Sequence, residues 1–277
     1  MSAIRWIVPC ASLVLAGCGL RVPEIQENPF SPGDGQLMVQ SIVQSVHCEV
    51  INALKHVVEK DIEFSKKYHQ RRVTEFLYKW GVQLSLTLTI DEKSSLSPNS
   101  VWLPHSPPTS IFTLATGASV SSDATRTDKM SFYYTVPTLL KQTYCTTGVR
   151  QGNEGSPLVR SDLKLEEWLA DYLSPLGTQE GQAPTGAGGI LKTNVLSHDV
   201  KFDLVTSGGV TPAWKLTTAT VNQSGTLFST SRDRTHDLII TLGPGDKTGF
   251  TTDAPRNADA AQQIGNAVST NLKLLGQ

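Results

Sequence analysis

Val82-Gln83-Leu84-Ser85-Leu86-Thr87-Leu88-Thr89-Ile90 decides the fold class. Apolar and polar residues alternate through all nine positions, so one face of an extended strand enters a core and the other meets solvent. Downstream, Ser110 to Val120, Lys129 to Val136, Asp199 to Thr206, Ala213 to Val221, Thr226 to Ser231 and Asp237 to Leu242 read as further strands. Ser207-Gly208-Gly209 and Asn222-Gln223-Ser224-Gly225 read as hairpin connections, and Gly243-Pro244-Gly245-Asp246 as the end of the last strand.

Upstream, the period changes. From Leu37 to Glu59, Val39, Ile42, Val43, Val46, Val50, Ala53, Leu54 and Val57 form one helix stripe, opposite Gln40, Gln44, Asn52 and Lys55. The charged continuation to Trp80 reads as a second helix or a bent extension. Ser161 can cap a helix bearing Leu165, Trp168, Leu169 and Tyr172, and a Gly-, Pro- and Gln-rich loop follows from Ser174 to Gly189. A last amphipathic helix, Asp259 to Leu275, carries Ile264, Ala267, Val268, Leu272 and Leu275 on one side. The sum is an α+β protein of mainly antiparallel strands, sandwich or barrel-like, with flanking helices.

Composition sets limits on function. The 277 residues are 39% hydrophobic and 18% charged, with 24 Lys and Arg against 25 Asp and Glu. That balance suits one large or two small packed domains. It lacks the cationic surplus of a dedicated nucleic-acid binder. No apolar run reaches the length of a conventional spanning helix.

The strand blocks carry an internal echo. Val82-Gln-Leu-Ser-Leu86 is similar to Val200-Lys-Phe-Asp-Leu204 at an offset of 118, Pro98 to Pro212 at 114, and Arg126-Thr-Asp128 to Arg234-Thr-His-Asp237 at 108. Such a duplication would relate two sheet units by an approximate two-fold axis and bury their apolar faces together.

The first residues hold an address. Arg5, the apolar stretch Trp6 to Ala16 and then small residues follow the order of a secretory signal. Leu15-Ala16-Gly17-Cys18 resembles the lipobox of bacterial lipoproteins. That resemblance implies cleavage before Cys18, acylation of its sulfur and amino group, and, from Gly19, sorting to the outer membrane. The segment from residue 195 to 245 also resembles uncharacterised proteobacterial envelope lipoproteins, which implies an envelope location and supplies no catalytic residues. The expected organisation is a signal peptide (1–17), lipidated Cys18 with a flexible tether (18–35), a helical segment (36–81), a first β unit (82–150), a helix and Gly-rich loop (151–189), a second β unit (190–250) and a C-terminal helix (251–277). With Cys10 in the signal and Cys18 lipidated, Cys48 and Cys145 have one available pairing in an oxidising compartment. A disulfide is expected, two separately buried thiols being the alternative.

Motifs for chemistry are sparse. Nucleophile elbows, Cys-x-x-Cys pairs and His-Glu-x-x-His are absent, and Gly186-Ala-Gly-Gly189 lacks the context of a phosphate loop. No cofactor or metal is expected. His198-Asp199 and His236-Asp237 are tempting, but neighbours on a strand point to opposite faces. His47 and His56, nine apart on a helix, read as surface residues. Lys66, Lys67, Arg71 and Arg72 form a local cationic excess suited to anionic headgroups, against a solvated face neutralised by nearby acids. Arg234 and His236, in a cluster with Arg232, Asp233 and Asp237, complete the candidate binding residues. The expected function is non-catalytic: binding, assembly or structure at the periplasmic face of a membrane, with the membrane through Cys18 and an envelope protein as partners and no nucleic acid. A lipid-anchored hydrolase of an envelope polymer, using Asp199 or His236, is the alternative. An accessory of an export machine would show exposed edge strands.

Overall fold

The computed structural model describes residues 22–25, 34–102, 114–145, 156–178, 180–181, 195–211, 214–215, 219–221 and 226–275. The elements in chain order are α1 (Asp34–Tyr68), a 3-10 helix (Thr74–Lys79), β1 (Trp80–Leu96), β2 (Asn99–Trp102), β3 (Leu114–Gly117), β4 (Val120–Thr135), α2 (Val136–Lys141), α3 (Pro157–Arg160), α4 (Leu165–Gly177), β5 (Leu196–Val210), β6 (Trp214–Lys215), β7 (Ala219–Val221), β8 (Phe228–Asp246), β9 (Gly249–Phe250) and α5 (Asp253–Leu275). The fold is α+β with antiparallel sheets and flanking helices.

The long strands are ordered β4-β1-β8-β5, with β9 on β8. Side-chain pairs give the directions: Ser85–Ser131, Thr89–Thr127 and Ser94–Ser122 join β1 to β4, the residue number rising on one strand as it falls on the other. Glu92–Arg232 and Ser95–Ser229 join β1 to β8 in the same antiparallel sense. The short strands repeat the pattern in a second sheet, β3-β2-β7-β6. Each half of the chain therefore contributes a long hairpin, β1–β2 out and β3–β4 back, then β5–β6 out and β7–β8 back.

The hairpins meet edge to edge, with β1 beside β8, rather than face to face. Their register also corrects one offset. Thr127 meets Thr89, while Thr235, 108 residues after Thr127, meets Asp203, 114 residues after Thr89. With the return strands matched at 108, the outgoing strands correspond at 114, which sets the Val82 and Val200 blocks four residues out of step.

The chain divides into two compact units. One contains Gln26–Thr87, Lys129–Phe202 and His236–Gln277 and holds all five helices among the described residues. Here even-numbered strand residues face α1 to α4: the His47 ring stacks on Tyr134 at 4.6 Å, and His198 Nε2 donates to the Leu163 carbonyl. Val82, Leu84, Leu86, Leu238, Ile240 and Leu242 are buried with Ile42, Val46, Val50 and Leu54 of α1 in this unit's core. Odd-numbered residues face α5 through polar groups. Asp259 accepts from Gln83 and Ser85, Ser197 donates to Gln262, and Asn266 donates to Asp199. Tyr133 lies where a Cβ on Gly81 or Gly245 would overlap its hydroxyl, and its ring packs edge-on to Phe250.

Several expectations are corrected in this unit. α1 is one helix through Tyr68, stopped at His69 by a left-handed backbone with φ of 53°. Asp61 then accepts from Val73 N, Thr74 N and Thr74 Oγ1, so the chain reverses into the 3-10 helix rather than a second α-helix. Ser161 ends α3 instead of starting a helix, and α4 begins after Lys164, itself left-handed with φ of 60°. Gly243 to Asp246 remains inside β8. On α5 the described members of the apolar stripe, Ile264, Ala267 and Val268, are exposed, Ile264 at 66%, because the sheet face beneath is hydroxyl and carboxylate.

The other unit contains Leu88–Asp128 and Asp203–Thr235, with the N-terminal residues through Ile25. No helix covers this sheet among the described residues. Hydroxyl pairs (Thr89–Thr127, Ser94–Ser122, Ser95–Ser229, Ser100–Thr116) and the Glu92–Arg232 ion pair at 2.8 Å bind its strands. β4 and β8 run unbroken across Ser121–Asp128 and Arg232–Thr235, which sequence patterning assigned to no strand. Ser207-Gly208-Gly209 lies within β5 instead of forming a turn. The expected tether is partly docked here: Arg126 donates to the Pro23 carbonyl and Arg232 to the Glu24 carbonyl at 2.7 Å, and Pro23 and Ile25 are buried. Cys18, the Gly186 loop and the turn Asn222 to Gly225 lie outside the described residues.

Cys48 on α1 is disulfide-bonded to Cys145, with Cα atoms 5.4 Å apart. Asn52 clamps the same site, accepting from Cys145 N at 3.0 Å and donating to its carbonyl. The bridge closes a separation of 97 residues. Replacing both cysteines with alanine is expected to cost about 2–4 kcal/mol of stability, read from urea unfolding; an unchanged midpoint would show that the bridge adds nothing to the fold.

Candidate functional site

β5 and β8 bring Asp199 and Asp237 together on the odd-numbered face. Asp237 is buried and Asp199 is exposed. Burial, followed by the charge and hydrogen bond of Asp199, raises the Asp237 pKa to about 7, while Lys201 and Asn266 pull it down. Asp237 thus holds its proton to higher pH than an ordinary carboxyl beside a solvent-facing carboxylate, an arrangement that general acid and base chemistry uses. Their sequence neighbours take no part. His198 on the opposite face stacks on Trp168 at 5.0 Å and bonds Leu163.

His236 meets a serine that sequence reading passed over. Ser156 Oγ lies 2.5 Å from His236 Nδ1, which has the outward form of a Ser–His dyad. The same oxygen accepts from Leu158 N and caps α3. Ser156 is 0% exposed and His236 2%, so no substrate reaches the hydroxyl in this conformation. The pair fastens α3 to β8. Only a capping signal, Ser before Pro157, marked it in the sequence.

The cationic stretch is divided by the turn after α1. Lys66, Lys67 and Arg71 are exposed, the two lysines in the last turn of α1. Arg71 meets Glu75 at 3.6 Å, while Arg72 packs over Tyr78 and stands 3.9 Å from Asp61. Two aromatic residues join the exposed cations: Phe64 and Tyr68, each 52% exposed, stack at 4.5 Å. Arg234 lies on β8, in the unit without helices. The binding candidates are thus dispersed: the lysines and Arg71 share one end of α1, and Arg72 is held locally. His47 and His56 do not converge. The first meets Tyr134, and the second lies 2.9 Å from Glu166.

No protein-family model matches the chain, and comparison with curated proteins finds no significant match. Among solved structures, the secretin InvG of the Salmonella SPI-1 type III secretion injectisome, residues 176 to the end in the open gate state, is similar at 11% identity. The alignment covers 76% of this chain and 71% of that one, with a TM-score of 0.19. A near-atomic cryo-EM structure of InvG covers 68% and 70% at 11% identity and a TM-score of 0.18. Likeness at this level carries no argument about fold or activity.

The carboxylate pair makes a testable pH dependence. A folded-state pKa raised to about 7 means the native state holds a proton that the unfolded chain releases near 4. Stability from the neutral form is complete at low pH and is lost as pH rises through about 7. Asp237→Asn fixes the neutral form. Thermal unfolding is expected to show the variant more stable than the parent at about pH 8, with the gap narrowing as pH falls toward about 4, the pKa of the unfolded carboxyl; an equal gap at both values would refute the raised pKa of Asp237.

Proposed function

We propose that this protein is a lipid-anchored component of the outer membrane, facing the periplasm, with a non-catalytic role in binding or assembly. The lipobox-like Leu15-Ala16-Gly17-Cys18 motivates the anchor. The docked residues Pro23 and Glu24 carry the reading further. Cys18 precedes Val22 by four residues, a span of about 14 Å at most. Acyl chains on Cys18 would therefore hold the helix-free sheet close to the membrane surface, each buried CH₂ contributing about 0.8 kcal/mol. The exposed Phe64, Tyr68, Lys66, Lys67 and Arg71 suit an anionic interface, where each cation contributes about 1 kcal/mol.

Replacing Cys18 with alanine is expected to abolish palmitate labelling, globomycin-sensitive processing and partition into the detergent phase. Unchanged membrane association in that variant would remove the lipid reading. Crosslinking in the native envelope with mass spectrometry then identifies the partner protein.

The Asp199–Asp237 pair favours a second reading, a lipid-anchored hydrolase of an envelope polymer. Purified protein incubated with peptidoglycan and with lipopolysaccharide separates the two. Soluble fragments that disappear with Asp199→Asn would establish the hydrolase, and unchanged polymer supports the non-catalytic role.

A further inference from the structure

We propose that copies of this chain associate head to tail, β5 of one pairing antiparallel with β4 of the next. Among the described residues, β4 and β5 are the outer strands of the long sheet, at 16 and 15 residues. The short sheet repeats the arrangement, with β3 and β6 outermost. An outer strand presents one backbone row to no neighbouring strand, and such a row is a template for another chain.

The required pairing already exists inside the molecule. β1, the outgoing strand of the first hairpin, lies beside β8, the return strand of the second. β5 is the outgoing strand of the second hairpin and β4 the return strand of the first. A β5–β4 contact between copies is therefore the β1–β8 contact made again, and the order β4-β1-β8-β5 continues into the next copy without a change of pattern.

The internal junction, combined with the return-strand match at 108, gives the register. Ser95 on β1 meets Ser229 on β8 at 2.7 Å. Gly209 stands 114 residues after Ser95, and Ser121 stands 108 before Ser229, the offsets that relate the two hairpins. Placing Gly209 opposite Ser121 puts Val210 opposite Val120 and Val205 opposite Thr125. Val120 and Val210 are each 57% exposed and Val205 is 66% exposed, unusual for β-branched apolar residues on a strand. Polar contacts elsewhere set this register, yet it brings two of the exposed valines together on one face of the continued sheet.

The two edges are defended unequally, β4 carrying Asp123, Arg126, Asp128 and Lys129 and the outer half of β5 far less charge. Natural edge strands are blunted by Lys, Pro or bulges. Asp203–Val210 contains one charged residue and no proline in eight positions. Because the two edges differ, each new contact leaves a β4 edge and a β5 edge at the ends, so the association propagates or closes into a ring. The strands alone make the contact, and it stands whether or not Cys18 carries lipid.

The test uses full-length protein extracted in detergent, with Cys48 and Cys145 already bonded. Val120→Cys and Val210→Cys variants are prepared separately, mixed and oxidised. Opposed residues of antiparallel strands lie about 4.5–5.5 Å apart at Cα, within disulfide reach. A reducible dimer is expected in the mixture and in neither variant alone, and the double variant gives a ladder on non-reducing gels. Dimers from Val120→Cys alone would overturn the head-to-tail arrangement. Absence of dimer in the mixture, with the parent monomeric by mass photometry, would overturn the association altogether. A charge pair guards against misfolding: Val120→Lys with Val210→Lys is expected to abolish the parent's assembly, and Val120→Lys with Val210→Asp to restore it. Failure of both variants to alter the parent's size distribution would equally refute the contact.

Discussion

The pairing of β1 with β8 joins two hairpins that are remote in sequence, and the other elements are arranged around it. Glu92–Arg232 and Ser95–Ser229 fix its register. Once it is set, the period of two places Val82, Leu84 and Leu86 on the same side as Leu238, Ile240 and Leu242. That side calls for an apolar cover, which α1 and the short helices provide in their unit. The opposite side carries Gln83, Ser85, Ser197 and Asp199, and it takes a helix whose inward residues are Asp259, Gln262 and Asn266. One pairing thus dictates two different kinds of helix packing.

This explains where sequence reading succeeds and where it stops. The alternation from Val82 to Ile90 and the stripe of α1 are legible because each packs against an apolar surface. The polar halves of β4 and β8 are illegible for the converse reason. Among the described residues no helix covers either face of Ser121–Asp128, so nothing there forces apolar residues into alternate positions. Their strand conformation comes from neighbours, through hydroxyl and carboxylate bonds such as Thr125 to Asp91. The stripe of α5 does not reveal its orientation, because its floor is polar and takes Asp259, Gln262 and Asn266 instead.

The carboxylate pair shows the same division at the level of chemistry. Asp199 and Asp237 each stand out in the sequence beside a histidine, but adjacency pointed to the wrong partners. On strands, the chemically relevant neighbour lies across the sheet, so Asp237 finds Asp199 while His236 finds Ser156 on the opposite face. Finding those contacts requires the register, which no local pattern supplies. The cationic stretch was legible as charge but not as geometry, since Asp61 bends the chain by accepting three hydrogen bonds and holds Arg72 away from Lys66 and Lys67.

A sheet with polar residues on both faces ordinarily has a weak preference for register, because a one-residue slip exposes no core. The helix-free unit meets that difficulty with contacts that tolerate no slip. A shift of one residue on β8 would turn Arg232 away from Glu92 and from the Glu24 carbonyl together, leaving Glu92 without its nearest cation. On β4 the same shift would remove Arg126 from the Pro23 carbonyl and separate the hydroxyl pairs in one step. Register there is set by charge-assisted and hydroxyl bonds rather than by burial. Such bonds keep the sheet ordered without a helix packed on it among the described residues, and they leave the outer backbone rows of β4 and β5 as the places where a further strand would gain most.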